Sequence, residues 1–140
     1  AAIDAFGNTS GWWNRLLGLS EADQAMNIKK EGIFPLVHGI RSLALASRLT
    51  QTNTIERIEA LKQRSVLSAE TAADLSQSLL FLMGLRLKTG LEELDKGRQV
   101  SGGIDVSRLS SLDRDLLKDA LSVVKKFKAQ MRYRFKLDSL

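Results

Sequence analysis

The sequence predicts an all-α protein, an antiparallel bundle of four main helices with a short helical segment before them. Three observations predict it. Four stretches carry apolar residues at helical spacing, no stretch alternates as a strand does, and the 140 residues include 24 leucines but one proline. A chain of this length suits a single domain with one core.

Residues 1 to 26 come first, and there Trp12, Trp13, Leu16, Leu17 and Leu19 suggest a short helix or turn packed on the bundle. The first main helix is expected from about Pro35 to Leu49, because proline fits a first helical turn, where its missing N–H costs nothing. Leu36, Ile40 and Leu43 form one stripe, and Val37, Ala44 and Leu45 its neighbour, so this helix is covered on most sides. The second runs from Thr54 to Arg64. Asn53 can cap it, and Glu56 stands three residues on, in capping-box spacing.

The third helix starts after Ser68 and continues through Leu75, Leu79, Leu82, Met83 and Leu87 to about Leu94. Gly84 and Gly90 lie inside it and predict a bend or a close helix crossing there. The fourth begins at Ser110 or Ser111 and extends to Phe135, with Leu112, Leu116, Ala120, Val123, Phe127 and Met131 at spacings of three and four. Short turns at Thr50 to Thr52 and Ser65 to Leu67 favour antiparallel neighbours. Gly97 to Ser107, with Gly97, Gly102 and Gly103, reads as a surface loop.

Composition excludes several function classes. There is no cysteine and one histidine, His38, so thiolate chemistry and a multi-histidine zinc site are excluded. The longest apolar run, Leu79 to Leu85, is far short of the ~20 residues of a membrane span. No signal peptide is visible, and a cytoplasmic location is expected. The net charge of +5 is modest and compatible with an anionic partner. A start at Ala-Ala-Ile-Asp reads as a segment of a larger multidomain chain.

No catalytic motif is present. Phosphate-loop and dinucleotide-binding glycine patterns are missing, and the single Asp-x-Asp, Asp113-Arg114-Asp115, falls in a first helical turn, where acids favour the dipole. More informative are basic residues in apolar surroundings. Arg86 follows Leu79, Leu82 and Met83 at helical spacing, and Arg41 stands between Val37 and Leu45. A guanidinium on an inward face must be paired or must open onto an anion, since an unpaired buried charge costs several kcal/mol. Pairing with Glu56, Glu59 or Asp74 is one expectation and an anion pocket the other, with Arg57 near the start of the second helix included in either. Lys125 to Lys136 holds six basic residues and no acid, a pattern that also complements a helix C-terminus.

A family resemblance adds to this. Ile28-Lys29-Lys30-Glu31-Gly32-Ile33-Phe34-Pro35-Leu36-Val37 leads into Gly39-Ile40-Arg41-Ser42-Leu43-Ala44-Leu45; Thr52 to Ile58, Val66-Leu67-Ser68, Phe81-Leu82, Leu85-Arg86-Leu87 and Leu109 to Ala120 follow in order. Together these blocks, over residues 27 to 135, resemble the nucleotidyltransferase substrate-binding domain. It departs from that pattern at Asn27, at Thr89-Gly90 and within Ser101 to Gly103.

The resemblance implies an all-helical accessory domain packed on a nucleotidyltransferase domain of the same chain. It also implies a parent bacterial signalling protein with a cyclic-nucleotide-binding domain and a CBS pair, whose transferase domain is similar to protein-PII uridylyltransferases. Carried over by position, its recurrent polar residues are Lys29, Arg41, Asn53, Arg57, Arg86, Arg114 and Lys118. The implied substrate is acidic or phosphate-bearing. No cofactor is expected in this segment; Mg²⁺ and a nucleoside triphosphate are implied for the catalytic domain. Neither membrane nor nucleic acid is an expected partner. The alternative expectation is a non-catalytic structural or protein-interaction module with internally paired arginines.

Overall fold

The computed structural model describes residues 25–138. The segment containing Trp12, Trp13 and Leu16 to Leu19 lies outside them. Among the described residues four α-helices dominate: α1 is Phe34–Ala46, α2 Thr54–Gln63, α3 Ala69–Asp95 and α4 Ser111–Asp138. The all-α class therefore holds, with one addition. Ala25–Asn27 (β1) and Gly103–Asp105 (β2) form an antiparallel ribbon in which Met26 pairs with Ile104. The expected Gly97 to Ser107 loop thus contains a strand and a 3-10 turn, Val106–Arg108, and it sends Ile104 and Val106 into the core.

Local chemistry sets the element ends. Asn53 Oδ1 accepts from the N–H groups of Ile55 at 2.9 Å and Glu56 at 3.3 Å, capping α2. Ser68 Oγ accepts from Thr71 N–H at the start of α3, and Ser110 Oγ accepts from Asp113 N–H ahead of α4. Asn53→Ala is expected to lower stability by about 1 kcal/mol in urea unfolding, because two orphan donors lose their acceptor. The first helix ends at Ala46, short of Leu49, because Arg48 takes a left-handed φ of 57° and Leu49 N–H turns back to the Ala44 carbonyl. Its N-terminal side is extended by a five-residue π-helical turn, Lys29–Ile33, with Lys30 N–H donating to Asn27 Oδ1 at 3.0 Å.

The core lies between α3 and α4, with α1 and α2 closing one side; Leu43, Leu61, Leu82, Leu117 and Leu121 are fully buried. The close crossing is at Gly39, where α1 meets the Phe127 ring of α4, and a Cβ would come 3.0 Å from Phe127 Cζ. Gly32 makes a similar approach to Leu82. The expected crossing at Gly84 is not there: that glycine faces open space, and Gly90 touches only Val100.

Among the described residues one charge sits in this core. Lys128 is buried on α4, and desolvation pushes its pKa down, partly offset by the Glu31 carboxylate. The unfolded chain therefore holds a proton that the folded chain gives up first. Stability gains an increment as pH rises through the depressed folded value towards the ordinary 10.5. Comparing denaturant midpoints at neutral and alkaline pH, Lys128→Met is expected to lack that increment.

Candidate functional site

A groove of about 320 Å³ opens between the last turns of α3 and residues 100–104. Met83, Leu87, Leu94, Val100 and Ile104 give it apolar walls, and Ile33 closes its inner end. Two charged side chains line it, Arg86 and Glu93. Glu93 is already occupied, accepting from Ser101 N–H at 3.0 Å and from Ser101 Oγ at 3.3 Å. Thr89 Oγ1 donates back to the Leu85 carbonyl. Arg86 has no acidic partner among the described residues, so its guanidinium is the one uncommitted charge on the groove.

A second, polar groove of about 390 Å³ adjoins it and shares Thr89, Glu93, Gly103 and Ile104. Lys96, Arg98 and Arg108 line it on the basic side. Asp105 on its edge accepts from Ser107 Oγ at 2.6 Å and from Ser107 N–H at 3.0 Å. The Ser107 hydroxyl, then its N–H and the Arg108 guanidinium, hold the Asp105 carboxyl below the usual range. That acid stays ionised at neutral pH.

The sequence-predicted site residues are not gathered in one place. Of Lys29, Arg41, Asn53, Arg57, Arg86 and Lys118, only Arg86 lines the groove. Arg41 and Lys29 are exposed, without an acidic partner among the described residues. Asn53 is spent on its cap. Arg57 is half-buried and its Nε donates to the Gln51 carbonyl at 2.8 Å, tying down the turn before α2. Lys118 is half-buried on α4. Arg114 donates from Nη2 to the carbonyls of Val106 at 3.4 Å and Ser107 at 3.2 Å, clamping the 3-10 turn to α4. The expected carboxylate partners of the arginines, Glu56, Glu59 and Asp74, are paired with none of them; Glu59 binds Lys62 at 2.9 Å.

Arg86 also differs from its sequence reading in environment. It shares the inward face of α3 with Leu79 and Leu82, yet it is exposed and lines the groove. Sequence reasoning did not single out Glu93 or Val100, and it marked Thr89 only as a departure from the family pattern. The available signal was the apolar spacing of Met83, Leu87, Leu91 and Leu94 continuing beyond the core.

Such a groove suits a ligand with a flat apolar body and one anionic group: walls for the body, a planar guanidinium for the anion. Comparison with known proteins bears on what that ligand serves. A family model described as "Putative nucleotidyltransferase substrate binding domain" matches residues 1–135. No curated protein and no solved structure matches the chain.

Proposed function

Since the chain belongs to the family of nucleotidyltransferase substrate binding domains, we propose that it binds a phosphate-bearing substrate for nucleotidyl transfer by a catalytic domain of the same polypeptide, with Arg86 as the anion contact. One observation carries this reading: a guanidinium with no acidic partner among the described residues, on an apolar groove whose lining acid is already committed to Ser101. A nucleotide has the matching chemistry, a base for the Met83, Leu87 and Val100 walls and phosphate for Arg86. Arg41 and Lys29 stand outside the groove and serve the acceptor or the facing catalytic domain.

Among the described residues no group of three or more acidic or histidine side chains is placed to hold a metal. In this proposal the metal and the bond-making step belong to the catalytic domain. No described helix is long and apolar enough to cross a membrane. The finer assignment, to a bacterial cytoplasmic signalling protein of the protein-PII uridylyltransferase kind with cyclic-nucleotide and CBS domains, is supported by the ordered sequence blocks of residues 27 to 135 alone.

A scaffolding role is the second reading, favoured by Asn53, Arg57 and Arg114, all of which hold backbone in place. Thermal unfolding with nucleoside triphosphates separates the two. At a hundred times its Kd a ligand stabilises the fold by about 2.7 kcal/mol, several degrees for a domain of this size. The expected result is a shift in wild type that Arg86→Ala loses while staying folded. No shift with any triphosphate would favour the scaffold.

A further inference from the structure

Helix α4 carries an apolar row that the core does not use. Leu112, Leu116 and Tyr133 are 68%, 43% and 68% exposed, and Val123 is half-buried. Together with Asp119, Lys126 and Gln130 they recur at alternating spacings of 4 and 3, a heptad seam from Leu112 to Tyr133. The seam stands about 130° around the helix axis from the buried row of Leu117, Leu121, Val124, Phe127 and Met131, at 100° per residue. Exposed leucines scattered singly need no explanation, but a continuous seam about 32 Å long marks a contact surface. Among the described residues the groove beside Arg86 is lined by α3, Ile33 and residues 100–104, with none from α4. Covering the seam therefore leaves that groove open, and the inference does not rest on the nucleotide reading.

We propose that this seam pairs antiparallel with the same seam of a second copy of the chain, about a twofold axis passing between Ser122 and Val123. Charge selects that occupant. The exposed acids of α4, Asp115 and Asp119, fall in its first half, whereas from Ala120 to Lys136 the helix holds basic residues and no acid. A partner of one sign would leave half of the seam unmatched, and a parallel copy would set like charges side by side. An antiparallel copy opposes Asp119 to Lys126 of the second chain, and the twofold repeats the pair in the other direction. Neither Asp119 nor Lys126 makes an ion pair among the described residues. The same operation sets Leu112 opposite Tyr133 and Ser122 opposite Val123, since each pair is equally far from the axis in sequence. Both ends of the contact are then apolar, and the small side chains at its centre let the helices approach to the usual interaxial distance of about 8–10 Å.

Sedimentation equilibrium of the 140-residue chain tests this. The expected result is a monomer–dimer equilibrium that Asp119→Lys weakens at least roughly tenfold, and Lys126→Asp likewise, because each single substitution brings like charges face to face. Combining Asp119→Lys with Lys126→Asp is expected to restore the wild-type dimer, a rescue that requires position 119 of one copy to face position 126 of the other. Both side chains are exposed, and far-UV circular dichroism checks that the bundle persists; should one single variant unfold, the other is read in the same way. Arg86→Ala is expected to dimerise as wild type does, so failure of nucleotide binding is distinguishable from failure of this contact. A chain that stays monomeric at every concentration overturns the proposal, whatever else covers the seam. A dimer that the single substitutions leave intact, or that the combined ones do not restore, overturns it too.

Discussion

Phe127→Ala is expected to lower the unfolding free energy by about 4 kcal/mol, the cost of losing a large buried ring together with the cavity left behind. The ring is 1% exposed and is the side chain against which α1 crosses α4. Gly39 permits the crossing: an added Cβ would sit against Phe127 Cε2, 3.0 Å from Cζ and 3.3 Å from Cδ2. Alanine at this position gains about 1 kcal/mol of helix propensity but overpacks the ring at a cost of about 2 kcal/mol. Gly39→Ala alone is therefore expected to destabilise by about 1 kcal/mol. Combined with Phe127→Ala the clash is gone and the same substitution becomes stabilising by about 1 kcal/mol. Urea unfolding of the four species should show a coupling of about 2 kcal/mol. Additivity within about 0.5 kcal/mol would mean that the crossing does not depend on this contact.

Arg86→Ala is expected to weaken triphosphate binding about 10- to 100-fold, which is about 1.4 to 2.8 kcal/mol and typical of a hydrogen bond to a charged group. Stability should change little, since the side chain is exposed and makes no ion pair among the described residues. Arg86→Lys keeps the charge and loses the planar fork, so it should fall between the two. An equal loss in Arg41→Ala, which lies off the groove, would point to diffuse attraction by net charge instead.

The helices were legible because their signals are local. Asn53, Ser68 and Ser110 cap where their side chains and spacing predict, and the leucine periodicity of α3 and α4 runs over many turns. The ribbon was not legible, for a physical reason. Each strand is three residues long and sends one side chain inward, Met26 or Ile104, too little for alternation to register, and β2 follows a run containing Gly97, Gly102 and Gly103. Helical periodicity fixes which face Arg86 occupies but not whether that face is covered at its position, so an inward arginine is in fact exposed on a groove. Glycines gave the same lesson: the pattern marks Gly84 and Gly90, whereas the close approach, to Phe127, is at Gly39. Nothing local distinguishes the buried Lys128 from its exposed neighbours Lys125 and Lys126, since burial there comes from α1 and the π-helical turn folding back on α4.

The central claim, that the groove beside Arg86 receives the phosphate-bearing substrate, is tested most directly by amide chemical shifts of the isotopically labelled chain during titration with a nucleoside triphosphate. The predicted result is a saturable set of shifts on Arg86, Thr89, Gly90, Val100 and Gly103, absent in Arg86→Ala. Shifts confined to Lys125 through Lys136, or none at a ligand concentration that stabilises the fold, would contradict it.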